Sequence, residues 1–432
     1  MSSDPFESGS SHWEQREAEA MAFLESRVNL EKLVHFHYDQ LEEKLATLRR
    51  VLEKMGNPER GFKTVHVTGS KGKGSVCVMI ESILLQENYH VGCFTSPHLY
   101  SVNERIRIDG KPVPMRELVD ELLSLKDRLE QWEEAFGLTY FDILTLAALE
   151  IFARSKLDVA ILEVGMGGRF DSTNVCCPTV SAITGVELEH TDFLGDTIEK
   201  IATEKAGIIR PSVPVVLGDH FDNELFLRQA FSCNAPVYKP AREVVETVRL
   251  GMPGEHQQRN AAIAAAIARV LRDNAGLSIS NRAIRKGVAR AKLPLRVEQL
   301  HDDPLLILDA AHTPGSAAAL FAELRNKSVA GRWFLLLGLM RGKDVEGVFR
   351  EIVPFFNEKV FTRCDLSPRA YSAVELADML GRAHVEAVED PWTAFESLWN
   401  QAGPGDLVCV TGSFYLGATI RRRFLEREGR SE

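Results

Sequence analysis

At 432 residues, with 45% hydrophobic and 26% charged side chains, the chain exceeds what one hydrophobic core organises and is too apolar for disorder, so two globular domains are expected. A formal charge of −10 with no dense basic block excludes a general nucleic-acid surface, and no apolar run reaches the roughly 18 residues needed to span a bilayer. Seven scattered cysteines without paired CxxC spacing read as reduced thiols, and the polar start lacks a secretory signal, which makes the cytoplasm the expected location.

Residues 1–20, rich in Ser, Glu and Asp, read as a disordered start. From Val28 to Met55 apolar residues recur at three and four (Leu30, Leu33, Val34, Leu41, Leu45, Leu48, Val51, Leu52), which predicts a pair of helices ended by Gly56-Asn57-Pro58. Short apolar strands then alternate with amphipathic helices: Thr64 to Val67, Val91 to Thr95, Val159 to Val164, Val180 to Gly185 and Val213 to Leu217. A second series, Leu305 to Leu308, Trp333 to Leu337, Lys359 to Thr362 and Leu407 to Val410, follows a polar stretch from Arg285 to Pro294 that reads as the domain boundary. The expected architecture is α/β throughout: a larger domain with a mostly parallel sheet over 21–293, then a smaller Rossmann-like domain over 294–432.

The stretch from Val65 to Ser75 is a buried strand, a glycine-rich turn (Gly69, Ser70, Lys71, Gly72, Lys73, Gly74) and a helix expected to begin at Ser75 or Val76. Glycines let the backbone N–H groups and the positive helix end face phosphate oxygens, Lys73 supplies charge to the outer phosphates, and the Ser75 hydroxyl is within reach of Mg²⁺. The spacing departs from G-x-x-x-x-G-K-[ST]: its first glycine would fall at Val67, and Gly74 intervenes before Ser75. A plain flexible turn is the alternative, but a strand before and a long amphipathic helix behind favour ATP.

The loop is followed in order by Phe94-Thr95-Ser96-Pro97-His98-Leu99, by Asn103-Glu104-Arg105-Ile106-Arg107-Ile108, and by the stretch from Leu162 to Asn174. Then come the stretches from Glu189 to Ala202 and from Glu204 to Ile208, His256-Gln257 and Asn260, Leu308-Asp309-Ala310-Ala311-His312, and Val410-Thr411-Gly412-Ser413. This series resembles the folylpolyglutamate synthase and dihydrofolate synthase family, a branch of the Mur ligases, over roughly residues 30 to 422.

The resemblance implies an ATP-dependent ligase: the γ-phosphate passes to a carboxylate, and the amine of L-glutamate attacks the acyl phosphate. It implies catalytic roles for Lys73, Glu163, His190 and Lys205; Mg²⁺ held by Ser75, Ser96, Glu163 and His190, with Lys205 joining them if carbamylated; and ATP contacts from Asn260, Arg296, Asp309 and His312, the nucleotide lying between domains. Pterin contacts fall to Thr139, Tyr140, Phe141, Asp142, Phe170, Asp171 and Ser172, through aromatic stacking and a carboxylate on ring N–H groups. Read on its own residue Lys205 is an exposed helix cation, while Tyr140 and Phe141 are equally ordinary core and Arg296 equally an interdomain salt-bridge partner.

Three positions differ from the family's pattern: Ser172 where alanine is common, Thr313 where asparagine usually follows the histidine, and Leu295 where glycine usually precedes the arginine. The expected substrates are dihydropteroate or a reduced folate and L-glutamate, with a monomer as the expected form. Alternatives are extension of folates only, a Mur-type ligase for another acid and amino acid, and a nucleotide-binding regulator without catalysis.

Overall fold

The computed structural model describes residues 7–29, 41–219, 221–327, 329–364, 369–381 and 385–430. Two compact units divide the chain, one made of residues 1–248 and 258–291, the other of 249–257 and 292–432. The first unit contains β1 (Lys63–Thr68), β2 (Val91–Phe94), β3 (Ile106–Ile108), β4 (Lys111–Pro112), β5 (Val159–Glu163), β6 (Val180–Ile183), β7 (Val215–Leu217) and β8 (Val237–Tyr238). They form one sheet in the order β4-β3-β2-β5-β1-β6-β7-β8. β2 and β3 pair antiparallel, as do β3 and β4; every other neighbour is parallel. β1 and β5 are buried along nearly their whole length; β5 accordingly reads as an apolar run up to Glu163, whereas β1 buries Thr64, His66 and Thr68 among its valines.

Its helices are α1 (Glu7–Glu25), α2 (Leu41–Lys54), α3 (Lys73–Leu85), α4 (Met115–Leu129), α5 (Tyr140–Ser155), α6 (Thr191–Leu194), α7 (Ile198–Ala206), α8 (Glu224–Ser232), α9 (Arg242–Val245), α10 (Glu255–Ala275) and α11 (Asn281–Arg290). Residues 249–257 of the second unit include the first turn of α10.

Two expectations are corrected here. The polar start is not disordered from Glu7 onward: α1 buries Ala20, Phe23 and Leu24 beside α4, and Arg16 and Glu19 pair with Asp120 and Lys126, each at 2.6 Å. An apolar stripe this thin is invisible to periodicity, and tertiary burial supplies the rest. The stretch from Arg285 to Pro294 is not a linker over its first half, because α11 runs to Arg290 and buries Ala283, Ile284 and Val288, with Gly287 set against the backbone of Ile83. Of the two helices expected between Val28 and Met55, the second is α2, while residues 30–40 lie outside the described residues.

The second unit holds β9 (Glu298–Asp302), β10 (Leu305–Leu308), β11 (Trp333–Leu337), β12 (Glu358–Phe361), β13 (Glu386–Ala387) and β14 (Leu407–Thr411), in the order β13-β12-β11-β14-β10-β9. Only β9 runs antiparallel to its neighbour. Helices α12 (Pro314–Arg325), α13 (Val345–Ile352), α14 (Ala373–Met379), α15 (Pro391–Trp399) and α16 (Phe414–Arg427) belong to this unit. Among the described residues no helix is long and apolar enough to cross a membrane.

Candidate active site

β1 lies at the middle of its sheet, between β5 and β6, and its C-terminal end runs straight into the glycine-rich turn. Gly69 has φ +150°, where a Cβ would strike the Thr184 hydroxyl. Gly72 has φ +84°, and a Cβ there would strike the Asn260 side chain. Both glycines are thus required by conformation and by close approach. Gly72 is the N-cap of α3, so the helix begins at Lys73, two residues before the expected start. The loop is pinned from β6's exit: Ser70 N–H donates to Gly185 O at 2.9 Å, and the Thr184 hydroxyl donates to Lys71 O at 2.5 Å. Lys73 Nζ folds back onto Gly69 O at 2.8 Å, Ser75 is buried in the first turn, and the Lys71 side chain pairs with Glu187 at 2.6 Å. The result is a rigid cradle of N–H groups at a helix N-terminus.

Glu163 ends β5 in register with Val67 of β1, which sets a buried carboxylate beside the phosphate loop. Its Oε2 accepts the Ser96 amide at 3.2 Å, tying the turn after β2 to the same point. The turn is braced from behind by Arg107, which pairs with Glu81 at 2.9 Å and donates to the Thr95 hydroxyl at 3.1 Å.

Lys205 is 1% exposed, not a surface cation, and its Nζ meets Glu189 Oε1 at 2.6 Å. Burial, opposed by Glu189 and aided by Lys73, lowers its pKa to about 8. Burial alone would raise the Glu189 carboxyl, but Lys73, Lys205 and His190 outweigh it and hold the pKa below its ordinary value. His190, at φ +46°, is the N-cap of α6. Lys73, Glu189, His190 and Lys205 therefore act on one another as one electrostatic group. Glu189 is the member that sequence reasoning passed over: it stood beside His190 without a role, and only folding sets it on a lysine 16 residues away.

Among the described residues no three carboxylate, imidazole or thiol groups converge as a ready metal cluster. Mg²⁺ commonly takes one or two carboxylates and completes its shell with water and phosphate oxygens, so Glu163 beside Ser96 and the loop serine is a donor set of the right kind. Lys205 as an ammonium is not a ligand. As a carbamate it would face Glu189 as a second anion, an arrangement that requires a cation close by.

The segments expected at the pterin divide in two. Asp142 has no exposure: it accepts the Thr139 amide and hydroxyl at 2.8 and 2.7 Å and the Ser172 hydroxyl at 2.5 Å, and it meets Lys44 at 3.2 Å. Asp171 caps a short 3₁₀ turn, accepting from Thr173 and from the Met166 amide. Asp142, Thr139 and Ser172 thus engage one another inside the protein, with Lys44 alongside. Tyr140 is buried with Arg105 over its ring. Phe141, tilted against Phe94 at 5.5 Å, and Phe170, with Arg169 over its ring, keep partly exposed rings.

In the second unit Asp309 follows β10, accepts the Val297 and Ala311 amides at 2.8 Å each, and has its pKa raised by burial against the opposing pull of Arg296. His312 holds Ala310 O through Nδ1 at 2.8 Å. Thr313 is the N-cap of α12, doing through its hydroxyl what an asparagine would do there. Leu295, one of the three positions that depart from the resembled pattern, adopts φ +58°, fully buried against Gly417.

Two family models match the chain, the Mur ligase middle domain over residues 67–217 and the Mur ligase glutamate ligase domain over 295–414. The dihydrofolate synthase/folylpolyglutamate synthase of Bacillus subtilis is 31% identical over 407 residues, covering 88% of this chain and 94% of that one. The chain belongs to the dihydrofolate synthase/folylpolyglutamate synthase family of the Mur ligases. Solved members of the family superpose along nearly the whole length. Escherichia coli FolC in complex with DHPP and ADP has a TM-score of 0.81 at 28% identity, covering 95% of this chain and 98% of that one. The bifunctional family enzyme of Yersinia pestis, complexed with AMPPNP and Mn ion, has a TM-score of 0.81 at 29% identity, with 94% and 98% covered.

Proposed function

We propose that the protein is an ATP-dependent ligase that joins L-glutamate to dihydropteroate and to reduced folates. The observation that carries this reading is the placement of Glu163 in register with the end of β1, so that a buried carboxylate and the phosphate loop share one point of the sheet. Its family membership supplies the acceptor class.

The chemistry follows from the residues. Loop N–H groups and the start of α3 fix the phosphates, and Lys73 meets the charge that builds on the γ-phosphoryl oxygens as they pass to the acceptor carboxylate. Glu163, Ser96 and Ser75 would hold Mg²⁺, which would supply further positive charge to those oxygens. Glu189 keeps Lys73 and Lys205 in place as a shared anionic partner, and His190 stands in the same field. Within the segments expected at the pterin, Phe141 and Phe170 offer partly exposed rings for a flat heterocycle. We assign Asn260 to the nucleotide because its side chain abuts Gly72, and we keep Arg296, Asp309 and His312 as nucleotide contacts. A cytoplasmic location is consistent with the seven free cysteines.

The test is incubation with ATP, Mg²⁺ and glutamate plus either dihydropteroate or tetrahydrofolate. A glutamyl amide and ADP should appear with each. Absence of amide with dihydropteroate removes the bifunctional reading, and absence with both removes the folate reading.

A further inference from the structure

A groove of about 660 Å³ opens between α2, the segment from Arg169 to Asn174, α7 and α8. Its lining includes four arginines, Arg49, Arg169, Arg210 and Arg228, and one glutamate, Glu42, a net charge of +3 on a chain whose net charge is −10. The arginines are not matched by acids in the usual way. Arg210 donates to the Asn174 carbonyl and side-chain oxygen at 2.5 and 2.9 Å. Arg169 lies over the Phe170 ring at 5.5 Å. Among the described residues Arg228 pairs only with the exposed Glu224 one turn back, at 3.5 Å, a pairing that contributes little. Arg49, exposed at the mouth of the groove, has no carboxylate partner among the described residues and is repelled by Arg210. Guanidiniums held near one another without an acid gain most from a bound carboxylate.

The groove touches the catalytic group through one helical turn. Lys205 faces inward from α7, while Thr203, Ala206 and Gly207 of the same turn line the groove, and the Arg169 amide donates to Glu204 O at 2.8 Å.

Resting on the proposed function, we propose that this groove binds the γ-linked oligoglutamate tail of a folate acceptor, with Arg49, Arg169, Arg210 and Arg228 matching its α-carboxylates. A tail whose terminal γ-carboxylate is being phosphorylated carries its earlier residues back toward the pterin, each with one α-carboxylate left over. A monoglutamate has too few to engage the groove, so affinity depends on tail length.

The experiment compares tetrahydrofolate mono- and triglutamate as acceptors for the wild type and for Arg49→Gln/Arg228→Gln, two exposed positions that hold no other element in place. The double variant should raise KM for the triglutamate by roughly fivefold or more, with kcat and the monoglutamate KM within about twofold, and added salt should mimic it. Arg49→Lys/Arg228→Lys should restore most of the difference. Equal shifts for both acceptors, or none for either, overturn the proposal. Calorimetry with tetra-γ-glutamate alone separates it from the activity itself: binding lost in the double variant supports the groove even in a protein that makes no amide. Inorganic phosphate displacing the peptide at equal concentration overturns the tail assignment in favour of a free-anion site.

Discussion

Lys205 Nζ lies 2.6 Å from Glu189 Oε1, with the lysine 1% exposed. A buried amine with its pKa at about 8 is about one-tenth neutral at pH 7, and the neutral fraction is the form that adds CO₂. Because adding CO₂ to the amine releases a further proton, carbamylation at fixed dissolved CO₂ increases with pH, most steeply below about 8, where the ammonium must also lose its proton. Activity measured with and without bicarbonate across that range should show the gain. Glu189→Gln removes the charge that raises the lysine pKa, so its half-maximal response should fall at lower pH than the wild type's; a response that moves to higher pH would contradict the pairing.

Gly72→Ala puts a methyl group into the Asn260 side chain at a backbone φ of +84°. ADP affinity, read by calorimetry, should fall at least tenfold, or about 1.4 kcal/mol, whereas melting temperature should drop only a few degrees. Asn260→Ala in the same background removes the collision but not the φ penalty, so it should restore part of the folding stability. No restoration would mean that the two residues do not meet.

Leu295 holds φ +58° with its methyl groups packed against Gly417. Gly417→Ala should destabilise the second unit by about 1–3 kcal/mol through overpacking. Leu295→Gly relieves about 1 kcal/mol of backbone strain but vacates a buried site, so a net loss of about 1–3 kcal/mol is expected in urea unfolding. A stabilised Leu295→Gly would show that the backbone outweighs the side chain.

Ser172 donates to Asp142 inside the first unit. Ser172→Ala should cost about 1–2 kcal/mol of stability and leave the KM for dihydropteroate within about twofold, since Lys44 and Thr139 still engage the carboxylate. A several-fold KM change would return Ser172 to the ligand.

Phe141→Leu and Phe170→Leu separate the two partly exposed rings. Loss of stacking should raise the pterin acceptor KM about fivefold in whichever ring faces it, with KM for ATP unchanged. An ATP effect without an acceptor effect would reassign the ring.

The buried parallel strands were readable because their apolar runs are unbroken: β10 and β11 occupy the residues expected of them. β3, β8 and β13 were not, being two or three residues each and held by neighbours rather than by pattern. The phosphate loop was legible because glycine conformation is a local property. The partner of Lys205 was not, because a lysine on a short helix looks alike whether it faces water or a carboxylate supplied by a distant loop. In the pterin segment the polar residues stood out in the sequence, whereas the hydrogen bond from Ser172 to Asp142, 30 residues away, needed the fold to be seen.

Gly168 and Gly207 face the opposite partners' backbones, a Cβ at 168 falling 2.8 Å from Glu204 O and 3.1 Å from Lys205 Cα, while one at 207 would overlap Arg169. The loop carrying on from Glu163 and the helix carrying Lys205 are thereby held at a separation set by two absent side chains. In a saturation library these two positions should be intolerant in every assay, with or without substrate, and a variant that survives at either should show the spacing of acid and lysine altered together. The reach between the two ends of the catalytic group is thus a tolerance machined by glycine.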